Sequence, residues 1–124
     1  MHVKRHAVTV STGTATGTGY TSVPVTGRIL EIRYAKDATA PYADGVGVAV
    51  TAEGSGTSIW SEAAVNASCV RFPRLQVHST AGAGLTYDGT RTVCEPLAVM
   101  DERIKIVVTT AGDKKTGTFY VTVG

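Results

Sequence analysis

The sequence predicts an all-β protein, an antiparallel β-sandwich or barrel (jelly-roll-like) of about eight short strands. Apolar and polar residues alternate along most of the chain, and no stretch has a helical period. Side chains of a strand point alternately to opposite faces, so this period of two indicates sheets with one buried and one exposed face. Thr is the commonest residue, and Val and Gly are abundant, which favours strands and turns. The strand-like segments recur about every 8 to 12 residues, which leaves no room for the crossover helices of a parallel sheet.

The first half of the chain contains five strand-like segments and one compact turn. The turn is the Gly-Ser-Gly segment within residues 53–57, which predicts a β-hairpin between its two flanking strands. The Thr- and Gly-rich residues 11–19 have little apolar surface and are expected to form a flexible turn or loop. Pro24 indicates an edge or a bend, because proline donates no ladder hydrogen bond. The predicted strands are residues 5–10, 20–25, 28–36, 46–51 and 58–61.

The second half is less regular until residue 96. Residues 62–92 contain short extended pieces at 70–72 and 75–77, interrupted by Pro73 and by a Gly-rich segment. Extended structure returns at 96–99, a turn is expected at Asp101-Glu102, and further strands are expected at 103–110 and 118–123. These last two strands are predicted to pair as a hairpin.

The predicted core follows from the parity of the strongest strands. In residues 28–34, Leu30 and Ile32 are expected on the inward face, and Ile29 on the outward face with the charged residues. The strand at 46–51 has Val on one face and small residues on the other, which suggests that another surface approaches it closely. The complete predicted core is Leu30, Ile32, Val48, Val50, Ile104, Ile106, Val108, Phe119 and Val121.

Length and charge exclude several classes of protein. The 124 residues are expected to form a single domain, 1–124, long enough to bury a core without disulfides. A net charge of +2 gives no global field for nucleic acid or an anionic membrane, so neither is expected as a partner. The basic start leads into an alternating strand rather than the apolar core of a secretory leader, which predicts synthesis and folding in a cytoplasm. Cys69 and Cys94 are expected to remain reduced thiols there.

No pattern for catalysis, for a metal or for a cofactor is present. The histidines, cysteines and carboxylates are scattered, and no Gly-rich segment precedes a helix that could hold a phosphate. We therefore expect a protein that is not an enzyme and that carries neither metal nor cofactor.

Recognition is a better candidate role than catalysis. Arg71 and Arg74 bracket Phe72-Pro73, and an Arg and aromatic cluster on a loop is typical of interface centres. The alternative is a solvated loop with one anchoring Phe. Trp60 is expected in the core or between sheets, and next in a subunit interface. The candidate docking surface combines residues 71–91 with the basic end of the first strand; its named residues are Lys4, Arg5, His6, Arg71, Phe72, Arg74 and Arg91.

Several segments, in their order along the chain, resemble a group of small virion proteins of tailed bacteriophages that are encoded with the capsid genes and decorate the head. The end of the chain matches best, in Asp101-Glu102-Arg103-Ile104-Lys105-Ile106-Val107 and in residues 115–119 with the terminal Val-Gly. The other matching stretches are 3–10, 25–28, 32–34, 59–60, 65–68 and 72–74, and residues 75–78 depart from the shorter polar sequence of the relatives.

The resemblance implies a structural protein of the phage particle, without enzymatic activity or cofactor. Within the virion we expect a position on the capsid surface, with binding to the major capsid protein lattice, after synthesis in the host cytoplasm. A homo-oligomer is expected, a trimer first and a dimer second, since subunits that dock on a lattice meet at its symmetry axes. Two alternatives remain open: a head-completion or tail structural protein, and a carbohydrate-binding β-sandwich module.

Overall fold

The computed structural model describes residues 3–86 and 88–124, and in that part the regular elements are eleven β-strands. The predicted all-β, antiparallel fold is confirmed, with more strands than the expected eight because short ones form between residues 69 and 96. The strands are β1 (Lys4–Ser11), β2 (Gly17–Tyr20), β3 (Val25–Lys36), β4 (Gly47–Ala52), β5 (Ser58–Glu62), β6 (Cys69–Arg71), β7 (Arg74–Gln76), β8 (Cys94–Pro96), β9 (Ala98–Glu102), β10 (Ile104–Thr109) and β11 (Thr116–Val123).

Two antiparallel sheets form the sandwich. The first has the order β1-β11-β3-β6, with β9 also paired to β3, and the second has the order β2-β10-β4-β5. Strands β7 and β8 pair with each other in a separate two-stranded sheet. The inward rows of the two large sheets form one cluster of buried residues, in which Val10, Ile32, Val50 and Ile106 are completely inaccessible. The alternating pattern therefore identified the buried faces correctly for the long strands.

The predicted core is confirmed except at Leu30. Leu30 is only half-buried, while Ile29, expected on the outward face, is completely buried. A β-bulge explains the difference: Thr122 of β11 pairs with Glu31 and the next residue, Val123, pairs with Ile29, so Leu30 has no partner. One extra residue in a strand reverses the parity of every residue beyond it.

The predicted hairpin of the last two long strands is wrong. β10 lies between β2 and β4 in the second sheet, whereas β11 lies between β1 and β3 in the first. The connection at residues 110–115 crosses from one sheet to the other. It bonds to the loop after β1: the amide of Ala111 donates to the carbonyl of Ala15, and that of Lys114 to the carbonyl of Gly13. A short polar turn has the same sequence pattern in a hairpin and in a connection that crosses between sheets. The pattern therefore does not show which strand becomes the neighbour.

The Thr- and Gly-rich segment is not the expected loop throughout, because its second half is strand β2. Gly17 and Gly19 pair with Val108 and Ile106 of β10, so the glycines occupy the inward-facing positions of β2. A Cβ atom on Gly17 would lie 2.5 Å from the carbonyl oxygen of Ser11, and one on Gly19 would lie 2.7 Å from a methyl group of Val10. The two glycines therefore allow β2 to lie directly against β1, which closes one edge of the sandwich.

Other turn assignments need smaller corrections. The turn expected at Asp101-Glu102 lies within β9, where Asp101 has a φ of 50°. Gly27, expected before the long strand, lies inside β3 at the irregular pairing with β9. The hairpin at residues 53–57 is confirmed, since β4 and β5 pair on either side of it.

Candidate docking surface

Arg71 belongs to an ion pair between the sheets and is not a free side chain. On β6 it lies opposite Ile32, so it projects from the inward face at the sheet edge. Its Nε and Nη2 donate to the two carboxylate oxygens of Glu62 on β5, each at 2.8 Å. The indole Nε1 of Trp60 donates to the same carboxylate at 3.2 Å, and Trp60 is buried as expected. Because Glu62 and Arg71 stand on different sheets, this cluster fastens the edge of the sandwich opposite the β1–β2 edge.

Arg74 is a second anchor, at the base of the segment that follows. Its Nη1 donates to the carbonyl oxygen of Leu30 at 3.2 Å and to that of Pro73 at 2.7 Å. Leu30 is the bulged residue of β3. It lies between the part of β3 that pairs with β6 and the part that pairs with β9. Phe72 lies between the two arginines and is 61% exposed. The arginines therefore hold the backbone, and the aromatic ring faces solvent.

Residues 74–96 form an arm on the outside of the sandwich. β7 and β8 pair at its base, and further bridges join His78 to Gly84 and Thr86 to Thr92. The backbones of Val77, Leu85 and Val93 are mutually hydrogen-bonded, so the arm has internal order. None of its described residues is buried. Leu75 is 48% exposed and Leu85 39%, so with Phe72 the arm and its base present three exposed large apolar side chains.

Arg91 lies on the arm and is largely exposed. Its guanidinium is 3.5 Å from the carboxylate of Asp88. Asp88 also accepts hydrogen bonds from the backbone amides of Thr90 and Arg91, which hold the pKa of its carboxyl below the usual value. The Asp88 side chain thus closes a local turn, and its exposed ion pair with Arg91 contributes little to stability.

The basic end of the chain lies elsewhere. Lys4, Arg5 and His6 belong to β1, which is the opposite edge of the first sheet from β6. Across the sheet, His6 pairs with Val121, Val121 with Ile32, and Ile32 with Arg71. His6 and Arg71 are therefore three strand spacings of about 4.8 Å apart. The structure therefore does not bring the two halves of the predicted docking surface together. Arg5 lies over the ring of Tyr120, 5.5 Å from its centroid.

Sequence reasoning did not single out Leu75 or Leu85, although both lie within the predicted segment 71–91, and it did not include Glu62. An isolated Leu in a stretch rich in Gly and Thr was the available signal, because such a segment offers no second apolar face against which the leucine can pack. Glu62 had no comparable signal, since its pairing with Arg71 depends on how two sheets meet.

The remaining chemistry is sparse in the part of the chain that the structure describes. No three His, Cys, Asp or Glu side chains lie close enough together there to hold a metal ion. The same residues include no helix long and apolar enough to cross a membrane. Both cysteines are free; Cys94 is exposed, and Cys69 is half-buried, with burial raising the pKa of its thiol.

The ion pair between Glu62 and Arg71 predicts a pH dependence of stability. The hydrogen bonds from Arg71, and then that from Trp60, hold the pKa of Glu62 below its ordinary 4.5. A carboxyl whose folded-state pKa is depressed contributes stability above its unfolded-state pKa and loses it as pH falls through the folded-state value. We expect Glu62→Gln to lower the free energy of unfolding at pH 7 and to make its decline below pH about 4.5 less steep.

Denaturant unfolding of both proteins between neutral pH and strongly acidic pH measures this effect. Glu53→Gln is the matched control, because Arg103 likewise lowers the pKa of Glu53, but this pair does not join β5 to β6. Parallel pH curves for the wild type and Glu62→Gln would contradict the prediction.

No protein-family model matches the chain, and no curated protein is significantly similar to it. Among solved structures, the fold is similar to one described as "Crystal Structure of FLHE", with 10% sequence identity and a TM-score of 0.47 over 99% of this chain and 98% of that one. A likeness this remote carries no argument about function.

Proposed function

We propose that this protein is a non-enzymatic structural component of a phage virion, a head decoration protein that binds and stabilises the capsid lattice. The observation that supports the proposal is the arm at residues 74–96, in which no described residue is buried. An ordered arm that leaves its own leucines in solvent has the form of a docking element held by a rigid sheet.

The composition of the arm favours a protein surface as its partner. Residues 74–96 contain two arginines, one Asp and one Glu, so their formal charge is balanced. Nucleic acid or an anionic membrane would be recognised through an excess of basic residues. Exposed Phe72, Leu75 and Leu85 offer apolar contacts, and a Phe together with Leu side chains can fill shallow pockets on a folded partner.

The anchoring arginines support the same role. Arg71 ties β6 to the second sheet, and Arg74 ties the base of the arm to β3. An arm whose base is fixed loses less conformational freedom on binding, which leaves more of the contact energy as affinity. Binding that occurs only on the assembled shell stabilises that shell by mass action, and linked copies would add avidity.

The carbohydrate-binding alternative has weaker support. Such modules present flat aromatic platforms, whereas Tyr34, Tyr42, Trp60 and Phe119 are all buried here. Tyr34 stacks on both Tyr42 and Phe119, with ring centroids 6.0 and 5.0 Å apart, so these rings serve the core.

The test uses undecorated phage shells and three proteins: the wild type, the double variant Phe72→Ser with Leu75→Ser, and the control Val107→Thr on the outer face of the second sheet. We expect the arm variant to lose shell occupancy at least about tenfold, as for a central apolar contact, while the control binds like the wild type. Occupancy is counted by cryo-microscopy, together with the heat resistance of the shell.

Unchanged occupancy of the arm variant would contradict the proposal. The number of copies per particle distinguishes a decoration protein from a head-completion or tail protein. Many copies spread over the lattice support decoration. A single ring of copies at one vertex would favour a head-completion or tail protein and overturn the capsid role.

A further inference from the structure

A short apolar ridge stands at the end of the sandwich where β2 connects to β3. It consists of Val23 and Pro24 in the connection between β2 and β3, and both residues are exposed, Val23 by 48%. The buried hydroxyl of Thr21 holds this connection: it donates to the carbonyl of Val23 at 3.0 Å and accepts from the amide of Ile104 at 3.1 Å. The ridge is therefore fixed before any partner arrives.

The cleft on one side of the ridge is acidic. It has a volume of about 360 Å³ and is lined by Pro24, Glu53, Asp101, Glu102 and Arg103, among others. Arg103 is paired with Glu53 through two hydrogen bonds of 2.6 Å, so Asp101 and Glu102 have no ion-pair partner among the described residues. The carboxylate of Glu102 accepts hydrogen bonds from the backbone amide and the hydroxyl of Ser55, and Asp101 therefore carries the more available negative charge. Asp101 is exposed, and its backbone amide donates to Thr26 beyond the ridge.

The cleft on the other side carries a basic residue. It has a volume of about 410 Å³, and its lining includes Val3, Lys4, His6, Val23 and Pro24. Lys4 is exposed and forms no ion pair with any residue that the structure describes. Val23 and Pro24 form part of the wall of this basic cleft, and Pro24 also lines the acidic cleft. The ridge therefore lies between the two clefts.

Exposed apolar side chains accompany the ridge. Met100, on β9, is 79% exposed, the largest value among the exposed large apolar residues of the described chain. Its neighbours in β9 tie it to this end of the molecule, since Val99 pairs with Gly27 and Asp101 bonds to Thr26. Tyr20, under the guanidinium of Arg103 at 4.4 Å from its ring centroid, is also partly exposed.

We propose that this end of the sandwich, centred on the Val23–Pro24 ridge, is the contact surface for a second copy of the chain, related by a two-fold axis. The charges on the two sides of the ridge, acidic in one cleft and basic in the other, are complementary to themselves after a half-turn about an axis that runs along the ridge. Lys4 of one copy then faces the acidic cleft of the other, and the same contact occurs twice. A nucleic acid or an anionic membrane would meet the acidic cleft unfavourably, whereas a second copy brings an opposite charge to each cleft.

The contact is independent of the proposed capsid role, because it uses none of the arm residues. It puts a dimer ahead of the trimer that the sequence analysis ranked first. The ridge and its clefts involve fewer residues than the about 20 to 30 on each side of a stable interface, so the dimer is expected to be weak and to dissociate at low concentration.

Sedimentation equilibrium of the full chain at low salt, at protein concentrations from about 5 to 500 µM, tests the proposal, since weak interfaces of this size associate in that range. Val23→Ser with Met100→Ser should weaken self-association at least about tenfold, and the arm variant Leu85→Ser, which removes a comparably exposed side chain, should leave it unchanged. All these positions are exposed, and thermal melting confirms that the variants are folded.

Charge exchange makes the test specific to the two-fold contact. Lys4→Glu and Asp101→Lys should each weaken the dimer, and the double variant should recover it, because each altered charge again faces one of opposite sign. Lysine is compatible with the positive φ at this position, since Lys114 already has a φ of 50°. Three results would overturn the proposal. The wild type could stay monomeric up to about 500 µM, the weak limit expected for so small an interface. The dimer could be weakened by Leu85→Ser rather than by the ridge variant, or the double charge variant could associate no better than the single ones.

Discussion

Replacing Ile106 by Ala is expected to lower the free energy of unfolding by about 2 to 5 kcal/mol, the range for truncating a fully buried aliphatic side chain. Ile106 is completely inaccessible at the centre of β10, the strand that pairs with both β2 and β4. Around it, β2 contributes Gly19 and β4 contributes Val50, each directly in register. Because a glycine cannot move a side chain into the space, we expect the cavity to remain largely open and the loss to fall in the upper half of that range.

Val107→Ala is the matched control, one residue further along the same strand. Its side chain is on the outer face and only half-buried, so its truncation should cost less than about 1 kcal/mol. Urea unfolding of the two variants measures the difference directly. Equal losses would mean that the inward face of β10 has been assigned to the wrong parity.

The second large effect is expected at Gly17, where even a methyl group has no space. A Cβ atom there would lie 2.5 Å from the carbonyl oxygen of Ser11 and 3.0 Å from its carbon, and both are backbone atoms. A side-chain neighbour could rotate away, but here β1 and β2 must separate as strands. Gly17→Ala should therefore cost about 1 to 3 kcal/mol, as overpacking of a core does.

Gly13→Ala is the comparison, four residues earlier in the same Thr- and Gly-rich segment. A Cβ atom at Gly13 would have no atom within 4 Å, so the change should be neutral or slightly stabilising, because it restricts the unfolded chain. Thermal unfolding of the pair distinguishes a close strand approach from a general need for flexibility. A similar loss in both variants would show that the segment needs glycine for its conformation rather than for space.

Alternation predicted the long strands well, because one buried face imposes the same period on every residue along it. Ile104, Ile106 and Val108 show this, as do Phe119 and Val121. The hairpin between β4 and β5 was also predictable, since its turn chemistry is local.

The features that sequence reasoning missed depend on neighbours that are distant in the chain. The burial of Ile29 in place of Leu30 results from a bulge opposite β11, and the pattern of β3 alone does not contain it. Strand β2 looked like a loop because its inward positions are glycines, which are needed only when β1 lies against them. The same reason applies to the candidate docking surface: Arg71 and Phe72 are adjacent in sequence, yet Arg71 binds Glu62 across the sandwich and Phe72 faces solvent.

The pairing of β1 with β11 has a consequence for how the chain folds during synthesis. Ser11 and Thr116 face each other across this pair although they are 105 residues apart. β1 is made early, but its ladder partner β11 leaves the ribosome more than a hundred residues later. β3 also pairs with β11 and obtains this neighbour only then. Until that point the first sheet lacks its middle strand, and the backbone of β1 lacks its ladder partner. Closing so long a loop costs entropy before any contact repays it, so folding is expected to be slow and to complete only after translation has passed β11.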